Sequence, residues 1–323
     1  MSQLILSFEC SGRELTVALL RGAKGTGEII ASARIDFEFD GPLPVFAGIN
    51  DGASAATPAI EDAALKTPVE AGSAALKRAN NKKTPKKNAG KAKDRQGSVS
   101  FLIPLIDKLL KDCQIARRDL TAIAVGIGPG GFTGVRVAVV TARTLAQIFK
   151  LPLVGINCLE AACYSSVINT SATAATALVK VASTSHCYLA IYQPEPTALP
   201  GIVQLKALVP PAYLNYGEAF KLLVSPKFEH CHVAIESGVK EHFDQLVSNG
   251  PDVTELDSAA YLRFAQDIPV NNMAEIQAKL ALVRLSLSES AAIYSYEQVE
   301  PLYLRGASVT LKKGDAVERV ESH

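Results

Sequence analysis

The segment that most restricts the fold of this chain is a glycine-rich stretch between an apolar run and a helix-forming run. Five glycines fall within 126–134, directly after the apolar residues 120–125. Glycine permits positive φ angles and close backbone approach, and Thr133 is suited to cap a following helix. We therefore predict a strand, a tight turn and a helix from about Gly134 to Lys150, whose first N–H groups could hold an anion.

Two general nucleotide motifs can be compared with this stretch. Gly126, Gly128 and Gly131 match the dinucleotide fingerprint, which also expects an acidic residue ~20 residues later, at the end of the next strand. That strand ends at 155–157 as Gly-Ile-Asn, without an acid. A P-loop requires Lys followed by Ser or Thr after its last glycine, whereas Phe and Thr stand here. An NAD-dependent enzyme remains a minor alternative, and the P-loop is excluded.

The predicted helix confines its polar residues to one narrow stripe at 100° per residue. The stripe consists of Arg136, Arg143, Gln147 and Lys150. Apolar residues cover most of the remaining circumference, which predicts burial on more than one face. Two interpretations stay open: a central helix of one domain, or a helix between its own sheet and a partner. The small residues Ala138, Ala142 and Ala146 would allow close approach.

Charge is unevenly distributed along the 323 residues, although 33 Lys and Arg nearly balance 32 Asp and Glu. Residues 77–95 contain nine basic residues and one acid, a net charge of +8, so the rest of the chain carries −7. This pattern excludes a basic nucleic-acid-binding domain as the folded body. It favours a mildly acidic globular body with one basic segment.

Several sequence features predict a cytoplasmic protein. The start of the chain lacks the basic and cleavage features of a signal peptide. The uncharged stretch 161–179 is rich in Ser, Thr and Asn, so it would span a membrane poorly. Six cysteines without a C-x-x-C pair are typical of reduced thiols. We expect no membrane association.

Apolar periodicity predicts hairpin strands followed by strand–helix–strand units in both halves of the chain. The strands are predicted at 4–8, 15–20, 28–39, 120–125, 151–156, 176–182, 186–192 and 232–235, and the helices at 101–113, 134–150, from 159, 258–267 and 274–293. This succession indicates a duplicated α/β architecture.

Low-complexity composition sets two segments apart from the predicted lobes. Residues 40–97 are rich in Ala and Lys and lack sustained periodicity, which predicts a disordered insertion. Its basic end is interpreted as a solvated loop or as a nucleic-acid arm. The predicted first lobe comprises 1–39 and 98–157, and the second comprises 158–305. Residues 306–323 form a polar tail.

The glycine-rich stretch resembles the signature of the bacterial TsaB family, G-x-G-P-G-S-F-T-G-x-R, followed by a helix and L-P-x-x-G. The matching positions are Gly126, Gly128, Pro129, Gly130, Gly131, Phe132, Thr133, Gly134 and Arg136. Residues 4–20 resemble the opening strand, turn and strand of that family, and 301–305 resemble its P-V/L-Y-L-R ending. The resemblance covers the predicted ordered chain.

This resemblance implies a duplicated actin-like fold of the sugar kinase and Hsp70 type, which is ribonuclease H-like. It implies a non-catalytic subunit that binds TsaD and supports N6-threonylcarbamoylation of adenosine 37 in tRNA. A TsaE-type ATPase would join the complex, and a homodimer is the alternative assembly. The chain would reach tRNA indirectly through the complex. It would need no cofactor of its own, because ATP and metal ions would belong to the partner subunits.

Family members pair through two helices that correspond to 101–113 and 134–150. The apolar residues predicted to form the partner interface are Leu102, Leu105, Ile106, Leu109, Val135, Val139, Ala142, Ala146 and Phe149.

Three residues of the first turn, Glu9, Ser11 and Gly12, stand where actin-like ATPases bind phosphate. They form a candidate nucleotide turn, in which Glu9 replaces the usual aspartate of the family. Gly131 replaces a serine, and Val-Ala-Ser at 181–183 replaces D-A-R. A small-molecule kinase or ATPase of this fold is therefore the alternative function.

Other reactive side chains give no convincing catalytic set. His230 and His232 share one face of a predicted strand, but a metal site needs more ligands. His186 adjoins Ser185 and Cys187 without the G-x-S-x-G turn of a nucleophile. We predict no metal site and no catalytic residue.

Overall fold

A computed structural model describes residues 2–12, 14–36, 98–170, 173–249, 266–267, 272–288 and 293–305. The predicted insertion 40–97, the polar tail 306–323 and nearly all of the predicted helix 258–267 lie outside the described residues.

The first sheet combines an antiparallel meander with two parallel strands, in the order β3-β2-β1-β4-β5. Its strands are β1 (Gln3–Glu9), β2 (Glu14–Ala23), β3 (Thr26–Asp36), β4 (Ala122–Gly126) and β5 (Leu153–Ile156). β1 pairs antiparallel with β2 and parallel with β4. Every residue of β4 is buried, because helices cover both faces of this part of the sheet.

Three helices follow the strands of the first half: α1 (Leu102–Asp112), α2 (Phe132–Phe149) and α3 (Cys158–Thr170). α1 and α2 share one core with one face of the sheet, where Leu105, Leu109 and Val139 are buried beside Phe8 and Val17. Their buried residues recur at three- and four-residue spacing, as a helix that packs on a sheet requires.

The second half repeats this architecture element by element. Its strands are β6 (Thr176–Val181), β7 (His186–Pro196), β8 (Val203–Asn215), β9 (His232–Ile235) and β10 (Gln266–Asp267), and its helices are α4 (Tyr216–Val224), α5 (Ser237–Asn249) and α6 (Met273–Leu287). The sheet order β10-β9-β6-β7-β8 mirrors that of the first sheet, with the same parallel and antiparallel pairings. The predicted duplication is confirmed.

The final helix of each half packs against the sheet of the other half. α3 places Leu159 and Cys163 in one cluster with Leu178 and Ala190 of the second sheet. α6 packs on the first sheet, although the predicted boundary assigned all of 158–305 to the second lobe. Each half thus contributes its final helix to the sheet of the other half. α6 can do so because it is apolar around most of its circumference, and such a helix is buried on several faces.

Several predicted bounds differ from the described elements. Strand β8 and helices α4 and α5 were not predicted. The predicted helix 274–293 ends at Leu287, and β7 extends to Pro196. None of the described helices is both long enough and apolar enough to cross a membrane.

Candidate functional site

The glycine-rich stretch packs against the turn that joins β1 and β2. Strand β4 ends at Gly126, and α2 begins at Phe132, slightly before the predicted start. A Cβ atom on Gly126 would lie 1.4 Å from Oε2 of Glu9, and one on Gly134 would lie 1.8 Å from the carbonyl oxygen of Cys10. Both distances are far below van der Waals contact, so glycine is required for this packing.

The start of α2 is tied to the same turn through backbone groups. Gly131 is the N-cap, and Thr133 is already the second residue of the helix, so the predicted capping role of Thr133 is wrong. The Gly131 N–H instead donates to the carbonyl oxygen of Ser11 over 2.6 Å. Gly128 has a φ of +93°, in the region that favours glycine. The motif therefore holds two segments of backbone together.

Glu9, the last residue of β1, lies in the interior with 4% of its surface exposed. Its Oε1 accepts a hydrogen bond from the Ser11 N–H over 2.5 Å, and its Oε2 accepts one from Nε2 of Gln277 over 2.6 Å. Sγ of Cys158 lies 3.4 Å from the same Oε2. Because Gln277 belongs to α6, the carboxylate links β1 to the helix that returns from the second half.

The candidate nucleotide turn thus has most of its polar groups engaged internally. Ser11 is buried, and its Oγ lies 3.2 Å from Sγ of Cys158; Gly12 is exposed. A carboxylate that holds a metal–nucleotide complex must direct its oxygens at the ion. Both oxygens of Glu9 are instead directed at donors of this chain, which gives the side chain a structural role. A nucleotide role for the turn stays a prediction.

The thiols near this turn are poor nucleophiles. All six cysteines are buried and free. Burial raises the pKa of the Cys10 and Cys158 thiols well above the ordinary value, and the Glu9 carboxylate adds to both shifts. Burial also raises the pKa of Cys163 and Cys187 to about 12. Because the thiolate is the reactive form, these four thiols stay protonated near neutral pH.

The histidines of the described ranges do not lie in a cluster with other possible metal ligands. Oγ of Ser185 lies 2.8 Å from Nδ1 of His186, at the surface, and the imidazole stacks on Tyr213 with ring centroids 4.5 Å apart. His230 and His232 are exposed. Within the described ranges, no group of three or more His, Cys, Asp or Glu residues could hold a metal ion.

The structure corrects the face chosen for the partner interface on α1 and α2. Eight of the nine predicted side chains are 0–5% exposed and lie in the core of their own lobe, and Phe149 is partly buried. The eight are Leu102, Leu105, Ile106, Leu109, Val135, Val139, Ala142 and Ala146. Core side chains cannot contact a partner without local unfolding, so this face is wrong. That the two helices bind a partner stays a prediction.

A different apolar face of the same helices is open to solvent. Ile103 on α1 is 52% exposed, and Val140 and Ile148 on α2 are 63% and 64% exposed. Val140, Thr144 and Ile148 are spaced four residues apart, so they form one ridge along the helix. We call these three residues the exposed ridge of α2. One side of α2 therefore packs on its own sheet, and an opposite apolar side remains available.

A cavity of about 300 Å³ lies where the start of α2 meets the 301–305 segment. The Leu302 N–H donates to the carbonyl oxygen of Ile127 over 2.7 Å and fixes this segment. Ala182, in the turn between β6 and β7, and Tyr188 on β7 line the cavity from the second half. The cavity therefore lies in a cleft between the two lobes.

Arg136 contacts two aromatic side chains that line this cleft. Its guanidinium carbon lies 3.7 Å from the centroid of the Phe132 ring, and its Nε–H donates to the Tyr303 hydroxyl over 2.6 Å. The two rings are 5.4 Å apart and tilted by 43°. The glycine motif and the 301–305 ending are each recognisable in the sequence, but the cleft that they form was not predicted. The signal was available, because Arg136 and Tyr303 both belong to the resemblance.

Known proteins resemble this chain in sequence and in fold. A family model described as "TsaD: tRNA N6-adenosine threonylcarbamoyltransferase" matches residues 95–281, more than half of the chain. A Bacillus subtilis protein described as "tRNA threonylcarbamoyladenosine biosynthesis protein TsaB" is 43% identical over 58 residues, which are 18% of this chain and 25% of that protein. The Escherichia coli protein with the same description is 36% identical over 58 residues, with the same two coverages. The chain thus spans about a quarter of the length of these curated relatives.

A solved structure extends the likeness in fold to most of the chain. It is a Pseudomonas aeruginosa protein described as uncharacterized and similar to peptidase YEAZ. It superimposes with a TM-score of 0.56 at 19% identity, covering 94% of this chain and 100% of the other. With the repeated sheets, this likeness confirms the predicted duplicated actin-like fold. The chain belongs to the family that the TsaD model describes.

Proposed function

We propose that the chain is a non-catalytic subunit in the biosynthesis of N6-threonylcarbamoyladenosine in tRNA. It would bind a TsaD-type transferase and support transfer by that partner. Family membership and the descriptions of the relatives from Bacillus subtilis and Escherichia coli support this role. Because the matches cover about a quarter of those relatives, the activity and the partners are inferred for this chain.

The observation that carries the non-catalytic assignment is that the Glu9 carboxylate accepts hydrogen bonds from groups within the chain. Glu9 occupies the position at which an actin-like ATPase needs a carboxylate for its metal–nucleotide complex, yet its oxygens accept from Ser11 and Gln277. The protonated thiols beside it supply no nucleophile. The chain would therefore carry no cofactor of its own, and ATP and metal ions would bind to the partner subunits. This geometry does not favour the alternative of a small-molecule kinase or ATPase.

The exposed ridge of α2, together with Ile103, is the proposed contact surface for the TsaD-type partner. The apolar side chains of this surface, Ile103, Val140 and Ile148, are open to solvent in the isolated chain, and burying them on association would be favourable. A TsaE-type ATPase would join the assembled complex, and a homodimer would use the same surface in the absence of TsaD. The complex would act in the cytoplasm, and this chain would meet tRNA within it.

Charging the exposed ridge tests this surface. Val140→Glu should weaken association with the cognate TsaD-type protein about tenfold or more, because a carboxylate would be buried against an apolar partner surface. Affinity can be measured by surface plasmon resonance with immobilised TsaD-type protein. Leu208→Glu is the matched control, since Leu208 is also an exposed apolar residue, 42% exposed, but lies on β8.

Equal affinity of Val140→Glu, Leu208→Glu and wild type would reject the ridge as the contact surface. Circular dichroism should show that both variants fold as the wild type does, because both positions are exposed. Ala142→Glu is unsuitable for this purpose, because Ala142 is completely buried and the substitution would disturb folding.

A further inference from the structure

The cleft between the lobes presents aromatic rings to solvent. Phe132 and Tyr303 line the cavity and remain 42% and 47% exposed. The two rings contact each other and Arg136, but a large part of each ring stays open to solvent beside the cavity, and exposed apolar surface of this kind often marks a ligand site. Tyr188 lines the cavity from the opposite lobe and lies 5.8 Å, centroid to centroid, from Tyr213. Rings from both lobes therefore border one space.

The charge of the cleft suits an anionic ligand. Of the ten described residues that line the cavity, Arg305 is the charged one. Arg136 is not one of these ten residues, but its guanidinium carbon lies 5.4 Å from the centroid of the Tyr303 ring, which lines the cavity. The acidic Glu9, in contrast, is buried behind the glycine motif. The opening thus combines π surfaces with positive charge.

The size of the cleft restricts the ligand further. A volume of about 300 Å³ is at the lower end of the range for small-molecule pockets, about 300–1,000 Å³. It accommodates one planar heterocycle with its sugar, whereas a folded peptide element or a helix would not fit.

We propose that this cleft holds one unpaired nucleotide of an RNA strand. The base would stack on Phe132 and Tyr303, and adjoining phosphates would pair with Arg136 and Arg305. Proteins recognise single-stranded RNA in this way, through aromatic or arginine planes that stack on splayed bases and basic groups that bind the backbone. The inference rests on the proposed function, which supplies a tRNA substrate, and it adds a direct contact between this chain and that RNA.

The proposal differs from a general electrostatic attraction to RNA. The basic residues 77–95 are expected to attract any polyanion, so an RNA affinity by itself does not identify the cleft. Substitutions that remove a ring without changing charge separate the two effects. Stacking depends on the ring, whereas counterion release depends on charge.

The test is a fluorescence anisotropy titration of the full chain at fixed salt. The probes are a labelled ten-nucleotide RNA without self-complementarity, the same RNA in a duplex, and AMP as a competitor. Phe132→Leu and Tyr303→Leu should each weaken binding of the single strand about tenfold. Phe132→Tyr keeps the ring and should therefore weaken binding less than Phe132→Leu does. Duplex RNA is also attracted by the basic residues 77–95, but its affinity should not change in the leucine variants.

Three results would overturn the proposal: wild-type affinity in both leucine variants, an equal loss of affinity for duplex and single strand in those variants, or AMP binding as tight as that of the RNA. The last result would identify a site for a free mononucleotide. The surface plasmon resonance assay with the TsaD-type protein, run on the same variants, separates this inference from the proposed function. Normal association without ring-dependent RNA binding rejects the cleft alone, whereas ring-dependent RNA binding without association rejects the subunit role alone.

Discussion

At the scale of single residues, Gly126 shows that the motif needs glycine for packing within the chain, without any ligand. The Glu9 carboxylate occupies the space where a side chain at this position would lie. The sequence identified both residues as important, because a glycine cluster between a strand and a helix is a strong pattern. It could not reveal the direction of the Glu9 side chain, since that depends on Gln277, which is distant in sequence and contributed by α6.

Gly126→Ala should lower the free energy of unfolding by about 1–3 kcal/mol or more, because the added methyl group would collide with a buried carboxylate. Urea denaturation followed by circular dichroism measures the change. Gly131→Ala in the same motif is the control, since its Cβ would lie 3.3 Å from the carbonyl oxygen of Ser11, a contact that a small shift relieves. Equal stability of the two variants would show that the Glu9–Gly126 contact is not as tight as described.

At the scale of elements, α2 shows what periodicity can and cannot predict. Its position and its burial on one side follow from apolar residues at helical spacing. The choice between its two apolar faces does not, because Val139 and Val140 are chemically identical and only tertiary packing separates them. Val139 is 1% exposed and Val140 is 63% exposed. The predicted interface therefore named the core side of the helix.

The elements that were not predicted give weak signals in the sequence, and each weak signal has a physical reason. β8 contains Pro210 and Pro211 and is an edge strand with mixed exposure, so it lacks the apolar run of a central strand. Proline is tolerated there because an edge strand has N–H groups that need no partner in the sheet. α5 is mostly polar and buries few residues, including Val239 and Phe243, which gives a weak periodic signal.

The crossing of α6 can be tested through Arg284. Its Nη2 lies 2.6 Å from each carboxylate oxygen of Glu160 on α3, and its Nη1 donates to the carbonyl oxygen of Gly155 over 2.9 Å. Arg284→Ala should lower the free energy of unfolding by about 1–3 kcal/mol, between the values for exposed and buried ion pairs. The reason is that the substitution leaves the carboxylate of Glu160, which is only 13% exposed, without its partner.

Arg34→Ala is the matched control for Arg284→Ala. Arg34 pairs with Glu14 at 2.5 Å, but both side chains are more exposed, so its removal should cost less than about 1 kcal/mol. Thermal or urea unfolding compares the two variants. If Arg34→Ala proves the more harmful substitution, the bridge between α3 and α6 does not hold the lobes as inferred.

At the scale of the whole molecule, two copies of one topology share a single interface through exchanged helices. The duplication could be predicted without close sequence similarity between the halves, because the order of hairpin strands and strand–helix units repeats. The exchange of α3 and α6 could not be predicted, since both helices are apolar on several faces and fit either sheet. The cleft arises only when the two halves are assembled.

The buried thiols of both halves predict lower stability at alkaline pH. The pKa of Cys163 and Cys187 is raised to about 12 in the folded state, from 9.0 without burial. Below about pH 9 the thiols are protonated in both states, and above it the unfolded state loses protons first. The free energy of unfolding should therefore fall as pH rises from about 9 to 12, by up to about 1.4 kcal/mol per pH unit for each thiol.

Urea denaturation at about pH 8 and about pH 10.5 measures this loss. The double variant Cys163→Ala and Cys187→Ala should lose less stability over the same interval, because two of the ionising groups are gone. A stability that does not change between the two pH values, or a loss that is as large in the double variant, would contradict the burial of these thiols.

The central claim, that this chain supports a TsaD-type transferase without catalysing a step itself, is tested most directly by reconstitution. The measurement is threonylcarbamoyladenosine formed in tRNA by the cognate TsaD-type protein and its other partners, with and without this chain. We expect that product forms only when the chain is added, that the chain alone has no ATPase activity, and that folded Glu9→Gln restores product as well as wild type does. Full activity without the chain, or ATP turnover by the chain alone that is lost in Glu9→Gln, would contradict it.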